Sequence, residues 1–560
     1  MPIDSAWNAY IFRDGKTTTS GPRLVEELAD ELAAYSASPS QTLLTDLLLR
    51  AGELECALRD LDSPYAALAE RITDIIATAF GAAATLRADE LARQVRGIAA
   101  PQEVHVAPPE GFAYYALHPL DFADLVRSVR HKSATVAILG IRSIGTTISA
   151  IVKAAVSADG RDAERITVRP SGHPYDRRTT FSAQQKQWID SMLTRSAEFF
   201  VVDEGPGMSG SSFLSVGEAL VESGVPRAQI AFLGSRVPDP ASLTAPNAAE
   251  RWTSFSAHYT QSTRHLPPGA KHYVAGGIWR AKVFDSEDEW PASWRQMERL
   301  KFLSDDGSRL YRFEGFGRFG EAVHQRALKV AQGGFGPMPL SREQGFGVYP
   351  MIAGRHLTAN NATPRMLERL ADYCAYRAQE LTASVTHTPE LESMLRFNSQ
   401  EEFGVELPAH LNSLRIERPV IADGRMLPYK WISTAGTALK VDAATHGDDH
   451  FFPGPTDIAW DLAGVIVEWE LGADASAFFL DHYQRASGDD PRKRLPAYFM
   501  AYAIFRTAYC KMAAVASNGT PECDRFLRDL GRYRRQAKSL LATGSLHATH
   551  KPQRAETHAA

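Results

Sequence analysis

The stretch Phe199–Ser212, FFVVDEGPGMSGSS, constrains the fold more than any other part of the chain. An apolar run ends in two adjacent acids and passes through glycines and serines. It then enters a segment with Phe213, Val216 and Leu220 at helical spacing, closed by Gly224 and Pro226. Strand, tight loop and helix in this order make half of a parallel βαβ unit. Such a loop aims backbone N–H groups and a helix dipole at one point, an arrangement that favours a phosphate. Ser209, Ser211 and Ser212 add hydroxyl donors around Gly210. Asp203 and Glu204, which as carboxylates only accept hydrogen bonds, would suit the hydroxyls of a sugar.

The surroundings agree with that unit. Ala134–Leu139, Arg165–Val168 and Ile230–Leu233 read as further buried strands with helices between them, predicting a mainly parallel sheet over 116–265. Residues 1–115 are predicted helical, with Leu24, Leu28 and Leu32 on one face and Leu43, Leu44, Leu47 and Leu48 on another, broken at Ser36–Ser40. They read as a packing or assembly module, able to cover the sheet or to support a homo-oligomer. After proline-rich segments near Pro238–Pro246 and Pro267–Pro268, a second globular region is expected over 270–545, strand-rich at its start and helical afterwards. The tail 546–560 has no apolar periodicity and is predicted disordered. The fold class expected is therefore α/β with an α+β C-terminal domain.

With 560 residues, the chain exceeds what one core can organise. A net charge of -5 gives no broad attraction to nucleic acid or anionic membrane. Cys56, Cys374, Cys510 and Cys523 form no CxxC pair, which argues against structural zinc or a thioredoxin-type site and for reduced thiols. The start, MPIDSAWNAYIFRDG, is no secretory signal, and no apolar run approaches the roughly 18 residues of a membrane span, so a cytoplasmic protein without membrane partners is expected.

Gly205–Gly210 also satisfies GxGxxG, with Glu222 further on, and Gly315–Gly320 repeats the pattern. A nicotinamide-dependent oxidoreductase is therefore one reading. Against it, Asp203 and Glu204 would face an incoming pyrophosphate, and Glu222 falls within the helix rather than at the end of the next strand.

A strand, two acids and a small hydroxyl-rich loop resemble the phosphoribosyl pyrophosphate motif of type I phosphoribosyltransferases. The resemblance implies that Asp203 and Glu204 hold the ribose, and Ser209, Gly210, Ser211 and Ser212 the 5′-phosphate. Ala134–Gly145, ATVAILGIRSIG, is similar to the family's pyrophosphate loop, with Arg142, Ser143, Ile144 and Gly145 as its contacts. Thr167–Arg178, TVRPSGHPYDRR, suits the loop that closes over pyrophosphate, offering Arg169, His173, Arg177 and Arg178. This chain departs from the family by one extra loop residue and by serine where threonine is commoner. The implied reaction displaces pyrophosphate at the anomeric carbon through an oxocarbenium-like state. That chemistry needs Mg²⁺ and arginines rather than a nucleophilic side chain.

A second constellation lies in 310–463. LYRFEG, the helix Glu321–Gln332, GFGVYPMIAG, DGRMLP, LKVD and HGDDHFFPGPTDIAWDLA follow one another in an order that resembles aminoglycoside phosphotransferases and choline kinase-like kinases. The resemblance implies Arg312 as the phosphate-contacting cation and Glu321 as its helical partner. Asp423 would be the catalytic Asp, Asp442 the metal-binding one, and Asp457–Ala463 the family's DxxxDLA element. Asp448 and Asp449 compete for the metal, and His446–His450 resembles the family's HGDxH loop, which would make Asp448 the base. Departures are Arg for Lys, Ile421-Ala422 for His-Gly, and no Asn after Asp423 at the usual spacing. The same His/Asp cluster is also compatible with an unrelated metal or a solvated turn. Phosphoryl transfer would need ATP with Mg²⁺ held by carboxylates.

Two functions stay open beside the oxidoreductase. One is a phosphoribosyltransferase-like transferase using phosphoribosyl pyrophosphate and Mg²⁺, coupled to an active or inactive kinase-like domain, acting on a small molecule or nucleobase. The other is a non-catalytic sensor of phosphoribosyl pyrophosphate or nucleotide with a pseudokinase domain.

Overall fold

The computed structural model describes residues 9–13, 15–82, 85–261, 265–407 and 414–542. The tail 546–560 and the expectation made for it lie outside these residues. The protein is mixed α/β, with a five-stranded parallel sheet and a five-stranded antiparallel sheet as its two main sheets. It divides into two compact units, one of residues 15–268 with 315–321, the other of 269–314 and 322 onward with the N-terminal residues before 15.

In the first unit the helices α1 (Gly21–Ala37), α2 (Gln41–Asp60), α3 (Ala66–Ala82) and α4 (Ala88–Arg96) precede the sheet. Ser20 and Ser40 cap α1 and α2 by accepting from Arg23 N and Leu43 N, which is why the chain breaks between them at Ser38–Pro39. The sheet strands are β1 (Thr135–Ile141), β2 (Asp162–Val168), β5 (Glu198–Val202), β6 (Ile230–Gly234) and β7 (Ser256–Tyr259). A hairpin of β3 (Ser171–His173) and β4 (Asp176–Arg178) follows β2. The sheet runs β2-β1-β5-β6-β7, all parallel. Helices α5 (Ile144–Ala158), α6 (Ala183–Thr194) and α7 (Ser211–Glu222) connect the strands. Every residue of β5 and β6 is buried, as expected for central strands covered on both faces.

The spans expected as separate at 1–115 and 116–265 share this unit. The apolar faces of α2 and α3 pack against α5, and Arg165 on β2 reaches into them. Its guanidinium, fully buried, donates to both oxygens of Glu55 at 2.8 Å and to Asp74 at 2.5 Å. A charge with no exposed surface is tolerated only when its donors are met in this way.

In the second unit an antiparallel sheet runs β8-β9-β10-β12-β11. These strands are His272–Tyr273 (β8), Lys301–Leu303 (β9), Arg309–Phe313 (β10), Ser341–Glu343 (β11) and Phe346–Pro350 (β12). Helix α8 (Gly317–Gln332) lies between β10 and β11 in the chain, starting earlier than the Glu321 expected for it. Helices α9 (Pro364–Glu380) and α10 (Pro389–Phe403) follow. The short strand Pro419–Val420 pairs with Thr456–Asp457, while β13 (Trp431–Ser433) pairs with β14 (Ala438–Lys440). Helices α11 (Ala459–Glu468), α12 (Ala473–Ser487), α13 (Leu495–Ala516) and α14 (Pro521–Ala542) complete the unit. All four cysteines are free and buried. Among the described residues, no helix is long and apolar enough to cross a membrane.

Candidate functional sites

The sheet order reverses direction at β1 and β5, and the loops leaving their C-terminal ends stand on either side of that switch point. In doubly wound folds this is where ligands bind. Both loops are held close by glycine. A Cβ on Gly140 would lie 2.3 Å from Gly145 O, and one on Gly145 would lie 2.7 Å from Val202 O, so α5 starts directly against both strands. The Arg142–Ser143 peptide in this loop is cis. Gly210 precedes α7 with φ +71, a backbone conformation that favours glycine.

Asp203 and Glu204 are half-buried at the end of β5. Asp203 Oδ1 accepts from Glu204 N at 2.8 Å, and Glu204 Oε2 accepts from Gly111 N at 2.8 Å. Burial pushes Asp203 up to about 7, opposed by the Glu204 N–H. Burial and the charge of Asp203 push Glu204 up to about 7 as well. Among the described residues no group of three or more His, Cys, Asp or Glu could hold a metal, so Mg²⁺ here fits only with oxygens supplied by its ligand.

The serines face the hairpin. Ser209 Oγ and Ser211 Oγ donate to Pro174 O at 3.0 and 2.7 Å, so the tip between β3 and β4 lies over the loop. Ser212 is half-buried in the first turn of α7. Arg142 and Arg169 both meet Asp60 of α2, at 3.1 Å and 2.5 Å, and Arg169 also donates to Cys56 Sγ at 3.1 Å. Burial lowers the pKa of Arg142, and its Nε has no acceptor among the described residues. Arg177 donates to Gly172 O, and Arg178 pairs with Asp176 at 3.6 Å, both within the hairpin, where His173 is exposed. Asp60 and Gly111 are the residues that sequence reasoning missed. Neither stands near the loops in the chain.

In the second unit Arg312, buried on β10, donates to Val441 O at 2.7 Å and lies 3.6 Å from Glu314. Glu314, two residues on, is thus the carboxylate beside Arg312. It also meets His324 at 3.3 Å and accepts from the Tyr349 hydroxyl. Glu321 is exposed within α8, in the span grouped with the first unit.

Asp423 is buried. Its Oδ2 accepts from Tyr373 at 2.5 Å, its Oδ1 from Arg425 N at 3.0 Å, and Lys440 Nζ lies 3.2 Å away. The loop is set by Asp461 of α11, which accepts from Asp423 N at 2.7 Å and Gly424 N at 2.9 Å. Burial raises Asp461 to about 6, opposed by Arg377 at 3.5 Å. Asp457 accepts from Glu417 N and Arg418 N and pairs with Arg494 at 2.8 Å.

Asp442 follows β14. Its Oδ1 accepts from Lys440 at 2.6 Å, its Oδ2 lies 2.8 Å from Lys430 Nζ, and His446 Nε2 stands 3.4 Å away. Burial alone would raise it, but Lys430 and Lys440 hold it well below the usual carboxylate range. Asp449 accepts from Phe451 N at 2.9 Å and pairs with His446, which holds it at about 2 against the effect of burial. Asp448 pairs with Arg326 at 2.7 Å. His446 thus joins Asp442 to Asp449, while Asp448 is engaged elsewhere. With an ammonium on each oxygen of Asp442, the residues present do not fit a Mg²⁺ ion there.

Neither a protein-family model nor a curated protein matches the chain in sequence. Solved structures do match in shape. A choline/ethanolamine kinase family protein from Mesorhizobium loti is 17% identical, covering 43% of this chain and 89% of its own, with a TM-score of 0.30. The choline kinase LicA from Streptococcus pneumoniae is 14% identical, covering 44% and 90%, with a TM-score of 0.30. A choline kinase from Cryptosporidium parvum is 10% identical, covering 51% and 94%, with a TM-score of 0.32.

Proposed function

We propose that the first unit is a phosphoribosyltransferase-like transferase unit binding phosphoribosyl pyrophosphate with Mg²⁺, and that the second is a kinase-like unit taking a nucleotide such as ATP. The observation that carries the first part is Asp203–Glu204 at the switch point, two half-buried carboxylates pushed up to about 7 by burial, which outweighs the charges of Arg169 and Arg236 nearby. Ribose hydroxyls donating to them would offset their lost hydration, while the amides at the start of α7 would take the 5′-phosphate. Arg142 and Arg169 would meet pyrophosphate once released from Asp60, neutralising charge on the leaving group. The second part is supported by an antiparallel sheet with a helix between β10 and β11, a buried cation on β10, and an Asp423 loop ordered by Asp461.

One observation favours the sensor reading for the second unit. Asp423 and Asp442 share Lys440, which leaves neither carboxylate open to a metal or to an acceptor hydroxyl. The test is calorimetry of phosphoribosyl pyrophosphate with Mg²⁺ on the full chain and on Asp203→Asn/Glu204→Gln. Binding lost in the double variant supports the assignment, and unchanged affinity ends it. Pyrophosphate release over a panel of bases then separates transferase from sensor.

A further inference from the structure

The cleft of the second unit carries an unusual balance of charge. Lys282, Lys301, Arg312 and Lys430 line it, against the single carboxylate of Asp442. Lys301 and Arg312 are cross-strand partners on β9 and β10, so two cations enter from adjacent strands. Each has a carboxylate behind it, Glu298 for Lys301 and Glu314 for Arg312. Burial lowers the pKa of Lys301, opposed by Glu298, so an incoming anion would further favour its charged form. The remaining wall is apolar and aromatic, including Val274, Leu310, Met351 and Ile352. Trp279 and Tyr429 stack with centroids 6.2 Å apart, and Lys430 Nζ rests 5.6 and 5.5 Å from their rings. Met351 is 39% exposed, an apolar side chain left open at the rim.

Lys430 and Lys440 stand at the two oxygens of Asp442, where a phosphotransferase would place a metal. We propose that this cleft binds a nucleoside polyphosphate without a divalent cation, the ammonium groups of Lys430 and Lys440 supplying the positive charge at Asp442. The apolar wall takes the base, and Lys301, Arg312 and Lys430 take the phosphates. This rests on the kinase-like reading of the second unit. It differs from that reading in assigning the site to metal-free recognition.

The experiment is calorimetric titration of the full chain with ATP, once in Mg²⁺ and once in EDTA, with inorganic tripolyphosphate as a control. ATP should bind in EDTA at least as tightly as in Mg²⁺, and at least tenfold more tightly than tripolyphosphate. Lys430→Met should weaken binding in EDTA at least tenfold. Asp442→Asn removes the one negative charge lining the cleft and should tighten it about twofold or more, where a metal-dependent site would lose affinity. If Lys430→Met does not fold, Asp442→Asn alone decides, because the two mechanisms predict opposite signs. ATP binding seen only with Mg²⁺ overturns the inference and leaves the kinase-like reading standing. No ATP binding in either condition overturns both. Equal affinity for ATP and tripolyphosphate overturns the assignment of the nucleoside.

Discussion

The two sites use the same carboxylates to opposite ends. In the first unit Asp203 and Glu204 sit at a strand end, each accepting a hydrogen bond from a backbone N–H, and burial pushes both up to about 7 against the charges of Arg169 and Arg236. In the second unit Asp423 and Asp442 are more deeply buried, yet Lys440 lies between them and Lys430 closes the far side of Asp442, which is held ionised. A buried carboxylate whose burial outweighs the cations nearby is destabilised until a ligand arrives, whereas one held in close ion pairs has little to gain from a metal. The difference teaches that acidic motifs at equivalent strand ends do not share a chemistry. The cations around them decide it.

The contrast is broken most forcefully at Lys440. Lys440→Met leaves two buried carboxylates facing each other, and chemical denaturation should show a loss of about 3–5 kcal/mol. A loss below about 1 kcal/mol would mean that the pairing is not what holds these loops. Next in size is Asp461→Ala, which removes the acceptor for two backbone N–H groups. It should cost about 1.5–3 kcal/mol in the same assay.

The first site responds through pH. Its carboxyls have folded pKa values of about 7, above their ordinary 3.8 and 4.5. The folded chain therefore holds protons that the unfolded chain releases between about 4 and 7, and stability falls as pH rises through that window. Asp203→Asn/Glu204→Gln should accordingly raise the melting temperature relative to the parent at pH 8, with the difference vanishing near pH 4. An equal effect at both values would show that charge is not the cause. The smallest effect belongs to Asp60→Asn. Freeing Arg142 and Arg169 from a partly exposed pair should tighten pyrophosphate binding by about two- to fivefold by calorimetry, in keeping with the roughly 0–1 kcal/mol of such contacts.

The strands of the first sheet were legible because Ala134–Leu139 and Phe199–Val202 are apolar runs of strand length bounded by glycine or acid, too short for a buried helix. The partner of the N-terminal helices was not. Periodicity marks an apolar face without saying what covers it, and the Glu55–Arg165 pair joins residues far apart in the chain. Asp461 stood out through its DLA context, and it does order the loop at Asp423. Lys440 carries a signal in the sequence, since a lysine inside the apolar strand run ALKV has to be paired if it is buried. Tyr373 and Lys430 carried none, as only the folded chain brings α9 and the residues before β13 to these aspartates.

The most direct test sets the two sites side by side in one protein by titrating the full chain with phosphoribosyl pyrophosphate and with ATP, each in Mg²⁺ and in EDTA. The first site, proposed to take phosphoribosyl pyrophosphate with Mg²⁺ carried on the ligand's own oxygens, predicts binding that collapses in EDTA, while the lysine-paired aspartates of the second predict ATP binding that survives it. Metal dependence shared by both ligands, or by neither, would contradict the account.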